Sequence, residues 1–92
     1  MVRVKVRYLQ EYYLKTRKYE ELLELPEPAT IETLLNKLPD EVKTDLLAEN
    51  GSIKPPNDIL VNGVSIAHLN GLKTLLKDED IIIIVPRPLF VV

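Results

Sequence analysis

Basic side chains near the start of the sequence are the first residues that could do chemistry. They alternate with apolar residues along the opening stretch and recur after a gap, as Arg3, Lys5, Arg7, Arg17 and Lys18. A basic sheet face of this kind binds RNA or an acidic protein surface. The alternative is that these are solvated strand residues facing Glu20, Glu21 and Glu24 on a neighbouring strand. We favour the alternative and do not expect nucleic acid as a partner.

The other polar residues predict neither a metal site nor catalysis. His68 is the only histidine, and it lies in a turn-rich segment without neighbouring metal ligands or an acid–base partner. Asp78, Glu79 and Asp80 are consecutive, so their carboxylates point in different directions, and the spacing of a calcium loop is absent. We expect an exposed histidine, a solvated acidic turn, no cofactor and no enzymatic activity.

The sequence has 92 residues, of which 46% are hydrophobic and 28% are charged, and its net charge is −2. This composition is typical of a soluble globular protein. This length predicts one domain, 1–92. Cysteine is absent, which excludes disulfides and thiolate chemistry. The longest apolar run, Ile81–Val85, is much shorter than the ~20 residues of a membrane span. The alternating N-terminus does not resemble a signal peptide, so we expect no membrane association and a cytoplasmic location.

Two strands are predicted in the first 25 residues. Valines and a tyrosine alternate with basic residues from Val2 to Tyr8, which is the pattern of a half-buried strand. A second strand is predicted over 17–25, with Tyr19, Leu23 and Leu25 on its buried side. Glu21 breaks that pattern, and a bulge or an exposed strand end would explain the break. The short link between the strands favours an antiparallel pair.

Two helices are predicted after Pro26 and Pro28, which end the second strand. Thr30 is placed to cap a helix whose apolar face has the spacing i, i+3, i+4 and i+7. That face consists of Ile31, Leu34, Leu35 and Leu38. Pro39 ends this helix, and Asp40 is placed to cap a second, shorter one with Val42 and Leu46 on its inner side.

A hairpin and a central strand are predicted in the last third. Asn62-Gly63 is typical of a type I′ turn, with Ile59–Val61 and Val64–Ile66 as its arms. The acidic turn at 78–80 follows, although Glu79 adopts a left-handed conformation less readily than glycine. Ile81–Val85 is apolar on both faces, which favours a central position.

This order of elements predicts an α+β fold of the ubiquitin-like β-grasp type. The first and last strands pair in parallel at the centre, and a helix crosses one face of the sheet. We expect a mixed sheet of four to five strands, one main helix and one short helix.

Three stretches of the sequence carry a resemblance to a known family. They are Leu25–Leu35, Val61-Asn62-Gly63, and Leu76-Lys77-Asp78 with Asp80. In this order they resemble the sulfur-carrier β-grasp proteins, which include the small subunit of molybdopterin synthase and the thiamine-pathway sulfur carrier. The resemblance implies a tail ending in Gly-Gly, whose carboxylate an adenylyltransferase activates with ATP before sulfur is added.

The last residues depart from that family pattern. Pro88-Leu89-Phe90-Val91-Val92 stands where the family has its tail, and the glycines, Gly51, Gly63 and Gly71, form no Gly-Gly pair. Val91 and Val92 are β-branched and stiff, whereas a tail that threads a narrow channel needs glycine. We therefore expect that the C-terminus is not activated and that the protein is a non-enzymatic protein-binding module.

The binding surface is expected on the sheet near the last strand and on the tail. The residues predicted for it are Ile66, Leu72, Pro86, Leu89 and Phe90. The apolar tail either folds onto its own subunit or inserts into a partner, including a second copy in a homodimer. The resemblance implies an adenylyltransferase-like protein or a molybdopterin-synthase large subunit as partner. Two other functions stay open: a sulfur carrier in molybdenum or tungsten cofactor or thiamine biosynthesis, and a small RNA-binding domain.

Overall fold

The computed structural model of the chain describes residues 1–9, 11–54 and 57–85. Within these residues the strands are β1 (Val2–Tyr8), β2 (Glu20–Leu25), β3 (Asp58–Val61), β4 (Val64–Ser65) and β5 (Ile81–Val85). The helices are α1 (Glu11–Thr16), α2 (Ile31–Leu35) and α3 (Asp40–Leu46), and two 3₁₀ turns cover Ile66–His68 and Gly71–Lys73. None of the helices in the described ranges has the length and apolarity needed to span a bilayer.

The strands form one mixed sheet in the order β2-β1-β5-β3-β4. β1 pairs with β5 in parallel, whereas the other neighbouring pairs are antiparallel. The prediction that Ile81–Val85 is the central strand and pairs in parallel with the first strand is therefore confirmed. The fold is the ubiquitin-like β-grasp, α+β and five-stranded.

The two faces of the sheet have different surroundings. The inner face packs against α2 and α3 and forms the core, with fully buried side chains that include Val4, Val6, Tyr8, Ile59, Ile82 and Ile84. The outer face points away from that core. It carries the alternate residues of each strand, because successive side chains of a strand point to opposite faces. Position along a strand thus decides which face each side chain joins.

The helices differ in length and start from those predicted. Thr30 caps α2 as expected, since its Oγ1 accepts from the Thr33 N–H at 3.3 Å. However, α2 ends at Leu35, and Leu38 is buried from the loop that follows. Asp40 is the first residue of α3 rather than its cap. The expectation of one main and one short helix is wrong, because α2 is shorter than α3 and α1 forms in the first connection.

β2 starts at Glu20, not at residue 17. Tyr19 lies before the strand and is 68% exposed rather than buried; its ring stacks on Tyr13 with centroids 4.0 Å apart. Glu21 causes no bulge, since the register with β1 runs unbroken. Its carboxylate instead accepts a hydrogen bond from the hydroxyl of Tyr8 at 2.9 Å, which satisfies a polar group on the inner face.

The hairpin turn has the predicted conformation but a shorter second arm. Asn62 and Gly63 have φ values of 51° and 88°, as a type I′ turn requires. β4 ends at Ser65, whose Oγ accepts from the Ala67 N–H at 3.3 Å and starts the first 3₁₀ turn. Ile66 therefore leaves the strand. Glu79 takes the left-handed conformation, with a φ of 70°.

Candidate protein-interaction face

The outer face of the sheet has an aliphatic centre. Ile83 of β5 is the register partner of Leu60 of β3. Ile81 lies two residues before Ile83 in β5, so its side chain is on the same face. All three side chains are partly exposed. We call Leu60, Ile81 and Ile83 the outer-face patch.

Charged side chains flank the outer-face patch on the β1 side. Lys5 is the neighbour of Ile81 and Arg7 is the neighbour of Ile83 in the parallel pair. The long aliphatic stems of lysine and arginine can cover apolar neighbours while their charges stay in water. This arrangement accounts for the partial exposure of two isoleucines on a solvent-facing side of a sheet.

Arg3, Lys5 and Arg7 form a basic stripe along β1. Acidic residues of β2 neutralise much of the positive charge of this stripe. Arg7 Nε lies 3.1 Å from Glu20 Oε1, and Lys5 Nζ lies 3.7 Å from the other oxygen of the same carboxylate. Arg3 Nη2 lies 3.4 Å from Glu24 Oε1. These pairs are exposed, and each contributes only about 0–1 kcal/mol to stability. They leave little uncompensated positive charge for a phosphate backbone.

Arg17 and Lys18 do not lie opposite Arg3, Lys5 and Arg7. They precede β2, and the residues of β2 opposite the basic stripe are Glu20, Leu22 and Glu24. Lys18 Nζ instead lies 3.1 Å from Glu21 Oε1, whose side chain belongs to the inner face. The basic residues predicted to share one face therefore form two separate groups. Arg3, Lys5 and Arg7 lie on β1, whereas Arg17 and Lys18 lie in the loop before β2.

The apolar residues predicted for the interaction surface differ in their burial. Ile66 is only 4% exposed and belongs to the core, because the 3₁₀ turn folds it inward; its prediction as a surface residue is wrong. Leu72 is partly exposed and packs against the core. The two line a shallow cavity of about 340 Å³ together with Ile53 and Asp58. The remaining predicted residues, Pro86, Leu89, Phe90, Val91 and Val92, lie outside the described residues.

The described part of the chain has no cluster of three or more His, Cys, Asp or Glu side chains suited to hold a metal ion. His68 is exposed at the end of the first 3₁₀ turn. The acidic turn has a structural use: Asp78 Oδ1 accepts from the Arg3 N–H at 2.8 Å, and Asp80 accepts from the Asn62 side chain at 2.9 Å. These carboxylates tie the turn to β1 and to the hairpin.

Sequence reasoning missed the residues of the outer-face patch, although a signal for them was present. β5 is apolar on both faces, and the inner face is occupied by Ile82 and Ile84. Ile81 and Ile83 must therefore point outward. Leu60 follows because it is the register partner of Ile83. The missing information was the register, which depends on hydrogen bonds between strands distant in sequence.

The chain belongs to the ThiS family, whose model matches residues 6–87. It is similar to the solution structure of small archaeal modifier protein 1 from Methanosarcina acetivorans, at 30% identity and a TM-score of 0.74, over 99% of this chain and 98% of that one. It is also similar to a Pyrococcus furiosus protein assigned as subunit 1 of a molybdopterin converting factor, at 26% identity and a TM-score of 0.76, over 96% and 100%.

A third solved structure shows the same fold. It is the BexX/CysO complex from Amycolatopsis orientalis, at 20% identity and a TM-score of 0.76, over 96% of this chain and 99% of that one. No curated protein sequence matches the chain.

Proposed function

We propose that this protein is a non-enzymatic protein-binding module that uses the outer-face patch, and that residues 88–92 are not activated by ATP as a carrier tail. The observation that carries the first part is the set of three aliphatic side chains that face away from the core on the two strands β3 and β5.

The composition of the outer face is that of a protein interface. Interfaces have an apolar centre that becomes buried and a polar rim that stays in contact with water. Here Leu60, Ile81 and Ile83 form the centre, and the ion pairs of Arg7 and Lys5 with Glu20 lie at one side. Covering the centre would contribute about 25 cal/mol for each Å² of apolar surface removed from water.

The proposal for the tail rests on residue type. The resemblance to sulfur carriers implies a Gly-Gly end that threads the channel of an adenylyltransferase. This sequence has Val91-Val92 in the corresponding place and no Gly-Gly pair among its 92 residues. A branched Cβ holds χ1 in few rotamers and adds bulk beside the backbone, so valine fits such a channel poorly.

The first experiment tests the patch. Binding of the purified protein to an adenylyltransferase or a molybdopterin-synthase large subunit from the same organism is measured by calorimetry, for wild type, Ile83→Lys and Glu32→Lys. Glu32 lies on α2, on the opposite side of the sheet, and is exposed, so it is the control. A loss of at least tenfold in affinity for Ile83→Lys alone supports the proposal. The proposal would be overturned if Ile83→Lys bound the partner as tightly as Glu32→Lys does, or if the wild type did not bind at all.

The second experiment tests the tail. The protein is incubated with the adenylyltransferase, ATP and a sulfur donor, and its mass is measured. We expect no change of mass. Replacement of one carboxylate oxygen by sulfur would refute the proposal for the tail, and a variant with Val91→Gly and Val92→Gly provides the positive control.

A sulfur carrier is the second candidate function. The observation that favours it is the family match over residues 6–87, together with 26% identity to the P. furiosus protein assigned to a molybdopterin converting factor. The mass measurement separates the two candidates, because only a carrier gains sulfur at its C-terminus.

A further inference from the structure

Among the residues that the structure describes, one row of main-chain groups of the edge strand β2 pairs with no other strand. The N–H of Tyr8 donates to the carbonyl of Tyr19 at 2.8 Å. In an antiparallel pair, hydrogen-bonded positions alternate with positions whose main-chain groups point away from the neighbour. With the register of β1 and β2, the outward positions of β2 are Glu20, Leu22 and Glu24.

The hydrogen bonds of β1 confirm this alternation. Lys5, which lies opposite Leu22, donates its N–H to the Asp80 carbonyl at 3.0 Å. Arg3, which lies opposite Glu24, accepts at its carbonyl from the Glu79 N–H at 2.8 Å. The main-chain groups at these positions of β1 thus point away from β2. The opposite residues of β2 therefore direct their N–H and C=O groups to the open edge.

The side chains at this edge form an alternating pattern. Leu22 is 63% exposed on the outer face, beside a depression of about 440 Å³ that is also lined by Lys5 and Ile81. Glu20 and Glu24 lie on either side of Leu22 along the same face and are exposed. A strand added to β2 would meet acid, leucine and acid at successive positions of that face.

A second copy of β2 is a poor occupant of the edge. The antiparallel register that uses all three outward residues sets Leu22 against Leu22 and Glu20 against Glu24 twice. Like charges directly opposite one another destabilise a strand pair, and charged residues on edges are a known means of preventing self-association. The same residues favour a strand with basic side chains two positions before and two positions after an apolar one.

We propose that the β2 edge binds an extended peptide segment of another protein with the pattern basic, any residue, aliphatic, any residue, basic. Main-chain hydrogen bonds to Glu20, Leu22 and Glu24 supply the affinity, as in other cases of strand addition. Glu20 and Glu24 already pair with basic side chains of β1, but these pairs are exposed and contribute little. Each carboxylate keeps acceptor positions on its open side for a basic side chain of the peptide, and Leu22 selects the aliphatic one. This surface adjoins the outer-face patch at Ile81 and Glu20. Its main-chain hydrogen bonds lie at the β2 edge, however, so Leu22→Pro tests this proposal separately from Ile83→Lys.

The test uses the blocked peptide Ser-Lys-Thr-Ile-Thr-Lys-Ser and a control peptide with glutamate in place of both lysines. Amide hydrogen exchange of the whole protein is followed by NMR with and without each peptide. We expect the lysine peptide to slow exchange at least fivefold at Glu20, Leu22 and Glu24, while the alternate residues Glu21 and Leu23 are protected in both states. The glutamate peptide should have no effect.

Two variants test the role of the edge. Leu22→Pro removes an outward N–H without removing a hydrogen bond to β1, and edge strands accept proline at such positions. We expect Leu22→Pro to lose at least tenfold in affinity for the lysine peptide, whereas Leu22→Val should retain that affinity. Glu24→Lys keeps the main chain intact and leaves one glutamate and one lysine at the edge, so it should abolish the preference for the lysine peptide. Protection elsewhere than β2, equal binding of both peptides, unchanged preference in Glu24→Lys, or dimerisation of the protein in place of peptide binding would overturn the proposal.

Discussion

The hydroxyl of Tyr8 donates a hydrogen bond to Glu21 Oε2 over 2.9 Å, across the β1–β2 pair. The tyrosine is fully buried, and the glutamate is half-buried on the same inner face. Lys18 Nζ lies 3.1 Å from the second oxygen of that carboxylate. One acid in an otherwise apolar row therefore satisfies a buried hydroxyl and connects the core to the loop before β2.

Removing the hydroxyl should cost stability. In Tyr8→Phe the carboxylate of Glu21 keeps Lys18 and its contact with water but loses the phenol, and a hydrogen bond to a charged group contributes about 1.5–3 kcal/mol. We expect a loss of about 1–2 kcal/mol in the free energy of unfolding, measured by urea titration. Glu24→Gln, which breaks only the exposed pair with Arg3, should change it by less than about 0.5 kcal/mol. Equal losses in the two variants would contradict this interpretation.

Stability should fall at alkaline pH. Burial, and then the hydrogen bond and the charge of Glu21, raise the pKa of Tyr8, and burial and the charge of Asp45 raise the pKa of Tyr12 to about 12. In the unfolded chain a tyrosine ionises near pH 10. Above pH 10 the unfolded state therefore releases protons that the folded state retains, and the free energy of unfolding decreases.

The contribution of Tyr8 can be isolated by comparison with Tyr8→Phe, because all other side chains are the same in both proteins. The wild type should lose about 1.4 kcal/mol more than the variant at pH 11, one pH unit above the ordinary tyrosine pKa. Urea titrations at pH 8, 9, 10 and 11 measure this difference. A difference that stays constant over the series would show that Tyr8 ionises normally in the folded protein.

Asn62 should contribute more than its place in an exposed turn suggests. Its Nδ2 donates to Asp80 Oδ1 at 2.9 Å, and its Oδ1 accepts from the Ile81 N–H at 2.9 Å. It also holds a φ of 51°, which asparagine tolerates better than alanine. Asn62→Ala should therefore cost about 2–3 kcal/mol of unfolding free energy. Asn70→Ala is the control, since Asn70 makes no side-chain cap, and a similar loss there would refute this role of Asn62.

Glu79→Gly should stabilise the protein. Glu79 is exposed and has a φ of 70°, and a left-handed conformation costs a residue with a side chain about 1–2 kcal/mol. Glycine relieves that strain but gives the unfolded chain more entropy, so we expect a net gain of about 0.5–1 kcal/mol. This corresponds to a rise in Tm of about 2–8 °C for a domain of this size. Asp78→Gly, which loses the bond to the Arg3 N–H, should lower the Tm, and a lower Tm in both variants would contradict the argument from strain.

The strands and their order along the chain were predictable, because the sequence signals for them are local. Alternation in β1, the Asn62-Gly63 turn and the unbroken apolar run of β5 each involve neighbouring residues, and together they define the β-grasp fold. Helix lengths were less predictable. Leu38 keeps helical spacing with Leu34 and Leu35, yet it reaches the core from a loop. Tyr19 has the parity of a buried residue but lies before the strand, where stacking on Tyr13 takes the place of burial.

Adjacent isoleucines of β5 offer the sharpest test of the two faces. Ile82 is fully buried on the inner face, whereas Ile83 is partly exposed on the outer face beside Leu60. Ile82→Lys places a charge in the core, and we expect it to unfold the domain, since burial of an unpaired charge costs several kcal/mol. Ile83→Lys keeps its ammonium in water, so it should retain the fold and lose about 1 kcal/mol or less. Circular dichroism and urea titration measure both. Unfolding of Ile83→Lys would mean that Ile83 is a core residue and that its aliphatic character serves stability rather than binding.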